Sequence, residues 1–252
     1  MARDGLRLPQ HIAVLLDGNG RWAIGRGLTR PQGHRAGGET AKRLTRLCHA
    51  LGIPTVTLFG FSTENWDRPM EEVQSLIALL EEYLYDIAPE LAENNVRLLL
   101  SGRIWQMPSR IRQAIQYAME RTAGSTGMTL NLAVNYGAKA EIVDAINAIL
   151  REERAGHLDR ASINADAFKT YLYAPDLSFP DLLIRTSGEQ RVSNFLLWEV
   201  EKAYYHITPT LWPDFDLEDL WRAILAYQTS DRGLPGEGEP DKKHKRQKEA
   251  EG

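Results

Sequence analysis

Short apolar runs alternate along this chain with helix-period segments and end in polar, glycine-rich turns, and that alternation restricts its fold more than any other feature. Residues 11–16 (HIAVLL) read as a buried strand that stops at DGNGRW. Apolar residues then recur at helical spacing from 36 to 51, and Gly52 and Pro54 mark the stop. Residues 55–61 (TVTLFGF) are β-branched and aromatic, a second strand. From 70 to 94 the pattern is a long helix with Val73, Leu76, Ile77, Leu80, Leu84 and Ile87 on one face. Strands at 96–100, 128–134 and 182–184 and helices at 109–122, 140–153 and 217–227 continue the series. Such a chain folds as a single α/β domain, a mainly parallel sheet of about six strands flanked by helices. Its ligands sit beyond the carboxyl ends of the strands.

That domain is expected over residues 11–230, after an N-terminal arm at 1–10. Residues 233–252 carry glycine, proline and mixed charge without apolar periodicity and read as a disordered charged tail. The basic cluster at 242–248 suits anionic lipid, although a solvated tail is the plainer reading. With 43% hydrophobic and 25% charged residues, the chain can bury a sizeable core. A net charge of -4 argues against general nucleic-acid binding, so an anionic ligand has to be met by local arginines. Cys48 can form no internal disulfide and reads as a reduced, buried thiol. No stretch approaches the roughly 20 apolar residues that span a bilayer. The expected setting is cytoplasmic, with peripheral membrane contact left open.

Three polar clusters follow the strands. Asp17, Gly18, Asn19, Gly20, Arg21 and Trp22 place a carboxylate at a strand end beside glycines that let backbone N–H groups approach a ligand. This suits a diphosphate with a metal; alone, it is equally a tight turn. Arg30 and His34 come just before the next helical stretch, where an anion is favoured, although a lone histidine is more often a capping or surface group. Ser62, Asn65, Trp66 and Arg68 follow the second strand, either as a ligand loop or as a turn ahead of a helix. Arg185, Arg191 and Ser193 follow the short strand at 182–184. Paired arginines grip diphosphates with forked hydrogen bonds, and a surface ion-pair network with Glu189 is the alternative. There is no Ser-His-Asp order, zinc spacing or nucleophilic cysteine.

Taken together, DGNGRWA at 17–23, RPQGH at 30–34, FSTENWDRP at 61–69, NYG at 135–137, IRTSGEQRVSNFLLW at 184–198 and LWPDF at 211–215 resemble the cis-prenyltransferases, the undecaprenyl diphosphate synthase family. The resemblance implies a magnesium-dependent homodimer that condenses isopentenyl diphosphate with an allylic prenyl diphosphate, with an apolar tunnel between sheet and helices. It implies magnesium at Asp17, and catalytic roles for Asp17, Ser62 and Asn65. Gly18, Asn19, Gly20, Arg21, Trp22, Arg30, His34, Trp66 and Arg68 fall to the allylic diphosphate, and Arg185, Arg191 and Ser193 to isopentenyl diphosphate. Gly60 falls at the tunnel wall and Met128 toward its floor.

Two departures stand out. Tyr204 occupies the position where relatives carry a second acidic metal ligand. Glu201 shares a face with it if the segment is helical, and otherwise is a solvated residue beside a one-carboxylate site. Residues 231–236 (DRGLPG) match the family's closing R-x-G segment poorly. A same-fold enzyme making a short, irregular or cyclised product is the alternative. A non-catalytic partner subunit is disfavoured because Asp17, Arg21, Arg30, Arg185 and Arg191 are all kept. As a loop carboxylate, Asp17 is expected to contribute little to stability.

Overall fold

The computed structural model describes residues 7–230. Six strands form one sheet: β1 (His11–Leu15), β2 (Thr55–Ser62), β3 (Arg97–Ser101), β4 (Thr129–Tyr136), β5 (Leu182–Arg185) and β6 (Tyr204–Ile207). Their order is β3-β4-β2-β1-β5-β6, and every pairing is parallel. The helices are α1 (Asn19–Ile24), α2 (Arg30–Leu51), α3 (Met70–Glu93), α4 (Ser109–Thr122), α5 (Ala138–Arg154), α6 (Ala165–Lys169) and α7 (Leu217–Thr229). None is long and apolar enough to cross a membrane, among the described residues. The tail expected at 233–252, its basic cluster and the DRGLPG segment lie outside the described residues, as do the first six residues of the arm.

β1 is buried along its whole length because it is central and covered on both faces. Ile12 and Val14 point to the larger core, where α2, α3, α4 and α7 pack. Ala13 and Leu15 face a smaller core formed with Phe195, Leu196, Val200 and the start of α5. The period-two alternation of a strand therefore sends successive side chains to different layers. α1 and β6 differ from the sequence reading. DGNGRW is more than a turn: Gly18, at φ 111°, turns the chain, and α1 begins at the next residue. β6 (YYHI) is a half-buried edge strand held by backbone pairing to β5, so it carries no continuous apolar run.

Glycines on α2 let α1 come close. A Cβ at Gly33 would overlap the Asn19 carbonyl, and one at Gly37 would overlap the Asn19 side chain and lie 3.0 Å from Trp212. α1 is thus seated against α2, and the loop that starts with Asp17 is fixed from below.

Behind the sheet lies a buried polar network. His11 Nε2 lies 2.7 Å from Thr57 Oγ1 and its Nδ1 2.6 Å from the Ser178 carbonyl. Burial pushes His11 down to about 4, so it is neutral in the fold. Glu141 accepts hydrogen bonds from the Tyr136 hydroxyl and, at 2.8 Å, from the Tyr173 N–H. Glu199 lies nearby with Oε2 unpaired. Burial, reinforced by the Glu141 charge, raises it from the ordinary 4.5 to about 8. The folded chain then holds this proton more tightly than the unfolded chain. Stability is lost as pH rises from 4.5 through about 8. In Glu199→Gln this loss should disappear, so its melting temperature should gain on the parent's steadily across that window in paired thermal melts.

Candidate active site

β2, β1 and β5 lie side by side, so the residues just past their carboxyl ends are neighbours although distant in sequence. Asp17 follows β1. Its N–H donates to Thr186 Oγ1 at 2.9 Å, and its carbonyl accepts from the Trp212 N–H at 3.0 Å. Its Oδ2 accepts from Arg185 Nη2 at 2.8 Å. Arg185 ends β5 with its side chain only 6% exposed. Its Nη1 donates to Ser193 Oγ at 2.7 Å and to the Arg191 carbonyl. One buried guanidinium thereby gathers Asp17, Ser193 and the Arg191 backbone. Arg185 organises the site at least as much as it offers charge to a ligand.

The ion-pair network with Glu189 is also present. Glu189 lies 3.1 Å from Arg191 and 4.0 Å from Arg21, and Arg21 Nη2 donates to the Ser187 carbonyl at 3.2 Å. A carboxylate between two half-exposed arginines marks where an anion is stabilised. Arg30 opens α2, and its guanidinium would lie 3.5 Å from a Cβ placed at Gly20. Trp22 donates through Nε1 to Asp214 at 2.7 Å and carries Arg26 over its ring, outside the cavity described below.

Ser62 and Asn65 form a reciprocal capping pair on the 3-10 turn Thr63–Asp67, with Asn65 Oδ1 accepting from the Ser62 N–H at 2.9 Å. Trp66 packs edge-on against Phe61 and donates through Nε1 to Asn135 at 2.8 Å. Arg68 donates to Glu72 at 2.7 Å, and Glu72 lies 3.8 Å from His34. Burial first, and the Arg68 charge next, lower His34 from 6.5 to about 4. His34 is therefore a neutral hydrogen-bonding group and adds no positive charge beside Arg30 and Arg68.

Several of these residues rim a cavity of about 690 Å³, whose lining does not include Arg21, Arg30 or Trp66. Asp17, Asn19, His34, Ser62, Glu64, Asn65, Arg68, Arg185, Arg191, Ser193 and Asn194 line its polar part; Leu58, Leu76, Leu79, Leu80, Leu132 and Val134 line its apolar part, with Tyr83. Measured along β2 from Ser62 to Leu58 it reaches about 13 Å, at ~3.3 Å per residue. Gly60 is part of the lining, and a Cβ there would meet nothing closer than 3.6 Å. Met128 shares the β4 face of Leu132 and Val134 but is packed in the core beyond the lining.

An isoprenyl transferase of Clostridium perfringens is 45% identical over 230 residues, 91% of each chain. One of Geobacter sulfurreducens is 44% identical over 226 residues, 90% of this chain and 92% of that one. A profile of the undecaprenyl diphosphate synthase family matches residues 15–234. The chain belongs to the undecaprenyl diphosphate synthase family. As a member it is a cis-prenyltransferase. Among solved structures, lavandulyl diphosphate synthase of Lavandula x intermedia, in complex with dimethylallyl diphosphate, superposes with a TM-score of 0.87 at 34% identity, covering 90% of this chain and 98% of that one.

In this family member no three acidic, histidine or cysteine side chains gather to hold a metal, among the described residues. Asp17 Oδ1, free of protein partners, fits magnesium, which commonly takes one or two carboxylates, substrate phosphates and water. Tyr204 opens β6 beside Leu182, three residues or about 10 Å before the strand end where Arg185 meets Asp17. Glu201 lies in the turn before it, so the helical relation between the two is absent. Within one chain, neither residue comes to Asp17. The sequence left Glu64, Asn135, Asn194 and Tyr83 without roles, because their contacts form only across folded loops.

The Arg185 pairing also revises the stability expected of Asp17 variants. Asp17→Ala strands a nearly buried cation and should lose about 1–2 kcal/mol in denaturant titrations. That is less than the roughly 3–5 kcal/mol for a fully buried pair because Asp17 is 40% exposed. Asp17→Asn keeps an acceptor and should lose less.

Proposed function

We propose that this cis-prenyltransferase condenses isopentenyl diphosphate with an allylic prenyl diphosphate and repeats the step to give a polycis-prenyl diphosphate of undecaprenyl type. The observation that carries the reading is the joining of an apolar cavity to a mouth bearing Asp17, Arg68, Arg185 and Arg191. A prenyl diphosphate has the same two parts, a greasy chain and a doubly charged head. The apolar part of the cavity is read as the start of a tunnel for the growing chain.

In the reaction the carbon–oxygen bond of the allylic diphosphate breaks. The double bond of isopentenyl diphosphate attacks the cationic carbon, and a proton leaves to set the new cis double bond. Arg21, Arg30 and Arg68 would stabilise the departing diphosphate, while Arg191 and Ser193, fixed through Arg185, would hold the second one. Asp17 would hold a magnesium ion, which supplies further positive charge to the departing group. Asn65, an amide, is no base at neutral pH, so its part with Ser62 is to orient groups while the departing diphosphate takes the proton. A homodimer belongs to this reading. Val143, Ile146 and Leu150 are exposed along α5 at helical spacing, a face that a second copy would cover. So does a cytoplasmic setting.

Incubation with isopentenyl diphosphate and allylic primers of several lengths, read by mass spectrometry, should give products growing in five-carbon steps. A single coupling without growth would favour the irregular or cyclised product, and no coupling would overturn the reading. Asp17→Asn should lower turnover by about 10²-fold or more. Gly60→Leu should shift the product distribution to shorter chains, because the bulk would enter the lining. An unchanged distribution would remove Gly60 from the tunnel wall. Chelation should abolish turnover, and Glu201→Gln should leave the magnesium requirement unchanged.

A further inference from the structure

Ser193, Asn194 and Leu196 have φ of 47°, 60° and 48°, so three non-glycine residues close together adopt the left-handed region. Asparagine tolerates that region best among them, since its short side chain can hydrogen-bond locally. Asn194 uses its groups fully. Its Nδ2 donates to Glu64 Oε1 at 2.7 Å, its Oδ1 accepts from the Lys139 N–H at 2.8 Å, and its carbonyl accepts from the Ala138 N–H at 2.8 Å. Gly137 completes the junction, because a Cβ there would lie 2.7 Å from Asn194 Nδ2 and closer still to Thr63 Oγ1. Three loops, those after β2, β4 and β5, therefore meet at one amide.

The bond between Glu64 and Asn194 is the one hydrogen bond between the loop after β2 and the loop after β5, among the described residues. It spans the carboxyl end of β1, which lies between those strands. Glu64 sits beside Asn65, and Asn194 sits beside Ser193. Burial alone would raise the Glu64 carboxyl, but hydrogen bonds, first that of Asn194, hold it below its usual range. The link is therefore charge-assisted and stronger than a neutral one.

We propose that Asn194 is a positioning residue that couples the two diphosphate sites: through Glu64 it ties the loop of Arg191 and Ser193 to the loop of Ser62, Asn65 and Trp66, so that filling one site orders the other. The inference rests on the two-site reading above. A ligand that fixes either loop spares the second ligand part of the ordering, and the gain is reciprocal.

The test is calorimetric binding of isopentenyl diphosphate with and without an unreactive allylic thiodiphosphate, and the reverse titration. In the parent, each ligand should tighten the other by the same factor, about tenfold. Asn194→Asp keeps the left-handed backbone but sets two carboxylates against each other. It should bring that factor to about one, even where the added negative charge weakens each ligand alone. Glu64→Gln alone retains an acceptor for Asn194 and should keep most of the coupling. The double variant Asn194→Asp/Glu64→Gln restores the bond with its polarity reversed and should recover the coupling, which a merely structural role would not require. Coupling that survives in Asn194→Asp, or fails to return in the double variant, overturns the proposal. If both ligands bind the parent without mutual tightening, the coupling fails and the two-site reading stands. If neither binds, both fail.

Discussion

The contact between Arg185 and Asp17 is the one on which the site depends. A parallel sheet puts the carboxyl ends of adjacent strands together, and here the ends of β1 and β5 carry opposite charges. The guanidinium is almost fully withdrawn from water; its two Nη groups are satisfied by the protein, while its Nε has no partner among the described residues. Its partners are Asp17, Ser193 and the Arg191 backbone. Desolvating a cation is costly unless its hydrogen bonds are made, and that cost fixes the geometry. The Asp17 oxygen left over, Arg191 and the cavity mouth are then presented together. Had Arg185 been solvated, the loop from 186 to 203 would lose one tie to the sheet, beside the packing of Phe195, Leu196 and Val200 on Ala13 and Leu15.

The cavity beside this pair follows from the shape of α2 and α3. Gly37 and Gly38 on α2 leave room, while Leu76, Leu79 and Leu80 on α3 supply apolar wall. Where the helices face one another at the surface they are joined by ion pairs, Arg35 with Glu82, Lys42 with Asp86 and Arg46 with Glu90. Exposed pairs such as Arg35 with Glu82 contribute little each, roughly 0–1 kcal/mol, whereas the Lys42 side chain is largely buried.

Most of the fold was legible because a central parallel strand has to be apolar on both faces. HIAVLL and TVTLFGF announce themselves for that reason, and the helix stripes of α3 and α4 do so by their period. What escaped were elements whose stability comes from neighbours. α1 contains a glycine and is held by close approach to α2; β6 is held by backbone pairing at the edge. The site was legible as clusters of polar residues after strands, and the family resemblance assigned roles within them. Relations across long sequence separations were not. Asp17 to Arg185 and Glu64 to Asn194 are fixed by strand order, which local patterning does not carry. The neutrality of His34 likewise depends on burial and on Arg68, neither of which its own segment reveals. The Arg185 contact raises the expected cost of losing Asp17, and it too was hidden because the partner lies on another strand.

The most direct test is a double-mutant cycle on kcat/KM with Asp17→Asn, Arg185→Gln and the double variant. If Arg185 acts through Asp17 and the loop it fixes, the two losses should overlap strongly. The double variant should then fall within about threefold of the worse single one. Losses that multiply would show that the two residues act independently, and would contradict the view of one buried pair organising the site.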